Sequence, residues 1–429
     1  MIEAFIIIIV VSFALYRPMI GIALISQIYL IRSLVYLRSG NPCFVGDCLI
    51  SSSPLLGVSL PLLVFFIAII KASRTKIRYS LDSSDILFVS YIIVMLIGCI
   101  YSPDILDSID YFGRFLLIGV SYFFVTKFYL SNSVNRVENI RCFLLTTYFT
   151  CIFLSFVAMY HFIGSGASSI RLTLPGVHPI PFSLLVGSTF IISLSIFLSN
   201  GEYLKISSKY FLRANVVMCL LFFLTQLATN TRGVTISMIL SAMLLIILSV
   251  DKIRPKLLLV GIPIMISILV YIINKIGFEK LFGRFMNITK DQSVGDRSVA
   301  YIDSVKIFSD NILLGGGTNS FKFFSQLGYP HNLFLENLAS FGSLGLIINC
   351  GFIGVFCYYF LKIIKQGPKN YTLIVLYALT IFFFIETMFS FTIWMHKSLY
   401  LFFALLGFYR NSNVSSVKKN PENNFSSKT

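Results

Sequence analysis

Long apolar runs separated by short polar connectors repeat along nearly the whole chain. A membrane-spanning helix needs about 20 mostly apolar residues, because every backbone polar group must be satisfied inside the segment. Runs of that order fall at 55–70, 86–102, 112–130, 142–162, 180–198, 214–230, 233–250, 257–276, 338–361, 371–388 and 391–408. Residues 1–37 hold two more apolar stretches split by Arg17-Pro18. Proline breaks a helix in water but is tolerated in a membrane, so this segment reads as one long kinked span or as a hairpin of two short ones. The single kinked span is the expectation here, giving about twelve helices with both chain ends on one side.

The connectors orient the array. Lys and Arg cluster at Lys71-Arg74-Lys76-Arg78, Lys127-Arg136-Arg141, Lys205-Lys209-Arg213, Lys252-Arg254-Lys256, Lys362-Lys365-Lys369 and from Arg410 to Lys428. Placing the first cluster in the cytoplasm puts all the others there too, as the positive-inside rule requires. The acidic connector SPDILDSID at 102–110 and the longest hydrophilic stretch, 277–337, then lie outside. The expected organisation is 1–276 as N-terminal transmembrane helices, 277–337 as a large outer loop, 338–408 as C-terminal transmembrane helices and 409–429 as a disordered cytoplasmic tail. In the loop, Leu281, Phe282, Phe285, Ile302, Val305, Ile307 and Phe308 recur at spacings that predict short amphipathic helices on the membrane face. The fold class is therefore an all-α polytopic membrane protein.

Composition agrees. Of 429 residues, 56% are hydrophobic and only 12% charged, against about 25% charged in a soluble domain. That excludes a soluble enzyme. The net charge of +16 lies in connectors, not on a basic stripe with interleaved aromatics, which excludes a nucleic-acid partner. The lipid bilayer is the expected surrounding. Six of the eight cysteines sit in or beside apolar runs and act as small hydrophobes, while Cys43 and Cys48 either pair or stay free. MIEAFIIIIVV lacks a basic n-region and a cleavage site, so it reads as a retained membrane segment.

Candidate chemistry lies on the outer side. Arg232, in Asn230-Thr231-Arg232-Gly233, stands between two apolar runs on the face where positive charge is disfavoured; it either snorkels at a tight turn or binds an anion such as phosphate. Arg297 follows Asp296 and reads as half of a solvated ion pair or as a second anion ligand. The glycines of Leu314 to Ser320 lack the GK[ST] ending of a nucleotide loop and read as a flexible connection, with amides open to an anion as the alternative. Tyr329-Pro330-His331-Asn332 opens the next span, with Pro330 suited to a first helical turn; a lone His there is commonly structural, but near-neutral imidazole also takes a proton from a hydroxyl or holds a phosphate oxygen. Arg171, with His178 nearby, lies in another outward connector. No acidic pair for a divalent metal appears in these loops, where Asp303 and Asp310 are isolated, so no metal and no cofactor is expected. Titratable groups within the spans are few, Arg114 and Glu386 being the clearest, which weighs against a proton-coupled transporter.

Taken in order, the Thr231-Arg232-Gly233 turn, the outer loop with Gly295-Asp296-Arg297 and its Gly-rich segment, and PHNLFLENLASFGSLGLI with Gly342 and Gly345 resemble the O-antigen ligase-like superfamily. This superfamily includes repeat-unit polymerases of the Wzy type and O-antigen ligases of the WaaL type; the segment from Arg171 to Pro181 resembles its earlier Arg-Gly-Pro connector, and the likeness covers about 171–350. The resemblance implies a metal-independent glycosyltransferase in the bacterial inner membrane, with its active site facing the periplasm and an undecaprenyl-pyrophosphate-linked glycan as donor. Arg232 and Arg297 would hold the pyrophosphate as it leaves, His331 would deprotonate or position the acceptor hydroxyl or steady the phosphate, and Arg171, Asn332 and Tyr329 would help to bind substrate. Polymerisation of lipid-linked repeat units, with a chain-length regulator as a possible partner, is the expected reaction. Ligation to lipid A-core is the alternative, and a polysaccharide flippase the non-enzymatic one.

Overall fold

In a computed structural model, the chain is described over residues 2–36, 55–75, 79, 81–164, 171–249, 292–366 and 370–417. Among these residues the structure is helical, without strands. The helices are α1 (Ile2–Tyr16), α2 (Pro18–Ser26), α3 (Ile28–Ile31), α4 (Ser33–Tyr36), α5 (Leu60–Ser73), α6 (Ser83–Ile100), α7 (Ile105–Phe115), α8 (Ser121–Asn132), α9 (Arg136–Gly164), α10 (Pro179–Leu198), α11 (Lys209–Ala228) and α12 (Arg232–Leu248). They continue with α13 (Gln292–Asp310), α14 (Phe321–Phe324), α15 (Leu333–Gln366), α16 (Tyr371–Glu386) and α17 (Lys397–Val417). Among the described residues, seven helices are long and apolar enough to cross a membrane, and Ile2–Tyr16, Arg232–Leu248, Tyr371–Glu386 and Lys397–Phe408 are shorter apolar helices. The expected span at 257–276, part of the outer loop, the pair Cys43 and Cys48 and the tail from 418 lie outside the described residues.

Large apolar side chains such as Phe66, Ile93, Phe156, Ile247 and Ile364 stand exposed around the outside, as a lipid-facing belt requires. Polar side chains point inward instead. Helix α10, the most enclosed of the spanning helices, carries Ser183, Gly187, Ser188, Thr189, Ser193 and Ser195 and packs against α9, α11, α12 and α16. Small residues let backbones approach where hydrophobicity gives no preference between lipid and protein.

Four expectations change. Residues 1–37 do not form one kinked span: Arg17 is extended (φ −139°, ψ 108°) ahead of Pro18, and the two arms fold together so closely that a Cβ on Gly21 would lie 2.6 Å from that of Ala14. Second, the connector at 102–110 is largely helix. The Asp104 side chain accepts from the Asp107 amide to cap α7, which runs through a π-helical turn into α8.

Third, the run opening at 338 is broken. At Gly342 the backbone takes φ 57° and ψ −132°, a conformation side-chain-bearing residues avoid, and the arm 333–341 folds back on the rest of α15. Asn337 donates to Asn349 Oδ1 (2.8 Å) and Asn349 to the Phe334 carbonyl (3.1 Å), tying the two arms. The C-terminal helices therefore start at Leu333. Fourth, the last apolar run is helical only from Lys397; residues 387–396 form an irregular loop with a single 3₁₀ turn, Ile393–Met395.

Candidate functional site

At one end of the bundle, connectors and helix starts from distant parts of the chain surround a cavity of about 630 Å³. Arg171, Arg232, Arg297, Tyr329 and His331 all line it, with His178 and Asp296. The sequence candidates thus converge, apart from Asn332.

Each is placed by local chemistry. The 171–178 connector is pinned by Leu172 N–H donating to the Ala228 carbonyl (3.0 Å). His178 caps α10, its Nδ1 accepting from the Ile180 amide (3.3 Å). The turn before Arg232 has Asn230 at φ 52°, and beneath it the Gln226 amide donates to Ser183 Oγ (2.7 Å) and Thr235 Oγ1 (3.2 Å), with the Thr231 hydroxyl in the same network. Glycine follows Arg232 for lack of space: a Cβ on Gly233 would meet that of Phe389 at 2.6 Å.

The His331 segment is held from two sides. Asn332 accepts from the Phe334 and Leu335 amides (3.0 and 3.1 Å), donates to the Met388 carbonyl (3.2 Å), and so caps the helix. Its side chain is engaged at the helix start, and it is not among the residues that line the cavity. Pro330 precedes the helix instead of opening its first turn. Leu333 N–H donates to Thr387 O (2.9 Å), and a buried cluster in which Tyr111 OH donates to Glu336 Oε1 (2.7 Å), with Thr392 on the same carboxylate, fixes the arm against α7 and the 387–396 loop. His331 itself sits at φ 57°, a left-handed conformation that persists only where surroundings enforce it.

The glycine segment binds no anion through its amides. Gly315, Gly316, Gly317 and Thr318 N–H donate to the carbonyls of Asn311, Ala339, Ser340 and Gly98. It is a backbone clamp between α6 and the short arm of α15.

Among the described residues that line the cavity, Arg171, Arg232, Arg297 and Lys397 supply four cations against one acid, Asp296. Among the described residues, neither Arg171 nor Arg297 forms an ion pair with a carboxylate. Burial, then the charges of Arg297 and His178, lower the His331 pKa to about 4, so its imidazole is neutral at pH 7. The Tyr329 ring lies 4.3 Å from it, and burial raises that phenol. Fixed guanidiniums beside a neutral imidazole suit an anionic group next to a hydroxyl that must lose a proton. Among the described residues no three His, Cys, Asp or Glu side chains group to hold a metal ion.

Trp394 and Lys397 escaped the sequence reading. Both line the cavity; the Arg114 guanidinium lies 5.7 Å from the Trp394 ring centre. Their signal was present, as the chain's single Trp and a Lys interrupting an apolar run.

Residues 217–350 match the family model Wzy_C, described as O-Antigen ligase. No curated protein and no solved structure matches the chain. The matched segment contains Arg232, Arg297, Tyr329 and His331, whereas Arg171, Trp394 and Lys397 reach the cavity from outside it.

Proposed function

We propose that this chain, a member of the O-antigen ligase-like superfamily through its residues 217–350, is a multi-pass membrane glycosyltransferase that joins undecaprenyl-pyrophosphate-linked repeat units on the periplasmic face of the inner membrane. The observation that carries the reading is the convergence of Arg171, Arg232 and Arg297 with His331 in one cavity. In the reaction, an acceptor hydroxyl forms a bond to the anomeric carbon of the donor sugar as that carbon's bond to the pyrophosphate oxygen breaks. The negative charge growing on the pyrophosphate meets preorganised guanidiniums, the electrostatic stabilisation that dominates many enzymic rate accelerations. The hydroxyl proton passes to His331, which is neutral and able to accept it. A bound pyrophosphate offsets the surrounding cations and raises the basicity of His331 toward its ordinary range.

Charge neutralisation is thus assigned to side chains, and a chelator is expected to leave transfer intact; loss of activity restored by Mg²⁺ overturns that assignment. The second reading, a ligase moving finished polymer to lipid A-core, is favoured by the matching family's description as O-Antigen ligase. Deletion in the native strain separates the two. A core bearing a single repeat unit supports the polymerase; a bare core with long polymer still on the lipid carrier supports the ligase. Product formation by the purified protein excludes a flippase.

A further inference from the structure

Arg232, Arg297 and His331 come from three different elements, yet consecutive residues of one loop touch all three. The Thr387 carbonyl accepts from Leu333 N–H (2.9 Å), and the Met388 carbonyl accepts from the side-chain amide of Asn332 (3.2 Å), the neighbour of His331. The same Met388 oxygen accepts from the Tyr301 hydroxyl (3.3 Å). Phe389 follows, and Gly233, beside Arg232, packs against it too closely for a Cβ. Residues 387–389 lie outside the segment that matches the family model.

A carbonyl oxygen has two lone pairs, so Met388 serves both donors at once and sets the separation of the groups that hold it. The arms are short. Asn332 adjoins His331, and Tyr301 stands four residues after Arg297 on α13, one turn on and on the same face, about 6 Å along the helix. The residues flanking Arg297, namely Gly295, Asp296, Ser298 and Val299, are exposed, so close packing does not fix this end of α13. Further along, Ala300 and Ile307 are buried with Phe321 and Ala339, and the Tyr301 ring packs only partly buried at the edge of that cluster. The ring can stay there without its hydroxyl; the hydroxyl is what reaches the 387–396 loop.

Resting on the glycosyltransferase reading, we infer that Tyr301 is a positioning residue: its hydroxyl, bonded to the Met388 carbonyl that also holds Asn332, keeps the Arg297 guanidinium at its working distance from His331. The imidazole itself reports that distance. The charge of Arg297 helps to lower the His331 pKa, so a guanidinium that moves away lets it rise. The other charged and titratable groups that line the cavity with His331 are Arg171, Arg232, Lys397, Asp296, His178 and Tyr329, and all of them remain when Tyr301 is replaced.

Tyr301→Phe keeps the ring and removes only the donor. In purified full-length protein carrying isotope-labelled histidine, the His331 signal among the four histidines is assigned with His331→Gln, and its titration midpoint is read by NMR alongside kcat and KM for transfer. The midpoint should rise in Tyr301→Phe without passing its value in Arg297→Gln. In the same variant kcat should fall about tenfold or more, with a smaller change in KM, since a misplacement near 1 Å can cost about 10²-fold. In an Arg297→Gln background Tyr301→Phe should move the midpoint no further, because the group it positions is gone. Ile307→Val, a buried change on the same helix, controls for loosening: it should lower the melting temperature and leave the midpoint in place. Tyr301→Leu, which also lacks the donor, replaces Tyr301→Phe if that protein does not fold. The inference is overturned if the midpoint stays or falls when the donor is lost, if it moves as far without Arg297, or if Ile307→Val moves it equally. The titration needs no substrate, so the two readings fail separately. Wild-type protein that forms no product but shows the expected midpoints sinks the enzyme reading alone, whereas transfer with an unmoved midpoint in Tyr301→Phe sinks the positioning role alone.

Discussion

Burial and the nearby charges of Arg297 and His178 lower the His331 pKa from 6.5 to about 4. The sign of its pH dependence follows: a base that must be neutral stays competent down through the mildly acidic range and is lost as pH falls through its own pKa. The kcat/KM profile, which reports the free enzyme, should therefore show an acid limb attributable to His331 near pH 4 and none near 6.5. In Arg297→Gln that limb should move upward without reaching 6.5, since burial, the larger cause, remains; an unmoved limb would detach Arg297 from His331. Arg297→Ala should separately lower kcat by about 10²–10³, as expected for removal of one charge-stabilising donor. Arg297→Lys should recover only part of it, because an ammonium keeps the charge but not the planar fork. Near-normal product from Arg297→Ala, in protein present at wild-type level in the membrane, would remove Arg297 from the site.

At the scale of elements, hydrophobic runs made the spanning helices legible, because period and length are properties of the segment itself. The order of the motifs carrying Arg232, Arg297 and His331 brought most of the site with it. What stayed hidden depends on contact between segments: the fold-back at Gly342 needs Asn337 and Asn349 to meet, and the commitment of the Gly315–Thr318 amides needs Ala339 and Gly98. Reading 391–408 as one apolar span hid Trp394 and Lys397, since hydropathy does not reveal that 387–396 is held as a loop by Asn332, Leu333 and Glu336. Another such contact pins α6 to α8 at the opposite end of the bundle. Lys127 Nζ lies 2.8 Å from both Asp82 Oδ1 and Asp85 Oδ2, and all three side chains are buried. Removing one partner strands charge in a dry interior, so Lys127→Met should destabilise the protein by about 3–5 kcal/mol. Adding Asp82→Asn and Asp85→Asn should restore most of that loss, because the charges go while Asn can still accept at the cap. Melting in detergent checks both, and a single variant as stable as wild type would contradict the clamp.

For the molecule as a whole, the question is which end faces which compartment. Helices α7 and α8, with the π turn between them, form a path of 28 residues, Ile105–Asn132, about 40 Å long at 1.5 Å per residue and enough to cross a bilayer. Its first turn belongs to the cavity end: Ser108 Oγ donates to Thr318 O (2.7 Å), and Asp107 pairs with Lys322 (2.6 Å) and accepts from Asn319. Its last turns belong to the basic end, where Arg17 lies 3.3 Å from Glu138 and Arg141 donates to Tyr203 O (2.6 Å). Gathering Arg17, Arg136 and Arg141 there fits a cytoplasmic end. The proposed function requires the cavity to open to the periplasm, where its own cations would run against the local charge bias, as a site for an anionic substrate would. Leu106 and Val134, 81% and 87% exposed, lie at or just beyond the two ends of this path and carry the test. In a background whose native cysteines are replaced, Leu106→Cys should react with a membrane-impermeant maleimide in intact spheroplasts, and Val134→Cys only after lysis. The reverse pattern would turn the molecule over, place the guanidiniums in the cytoplasm, and leave a periplasmic transferase without its site.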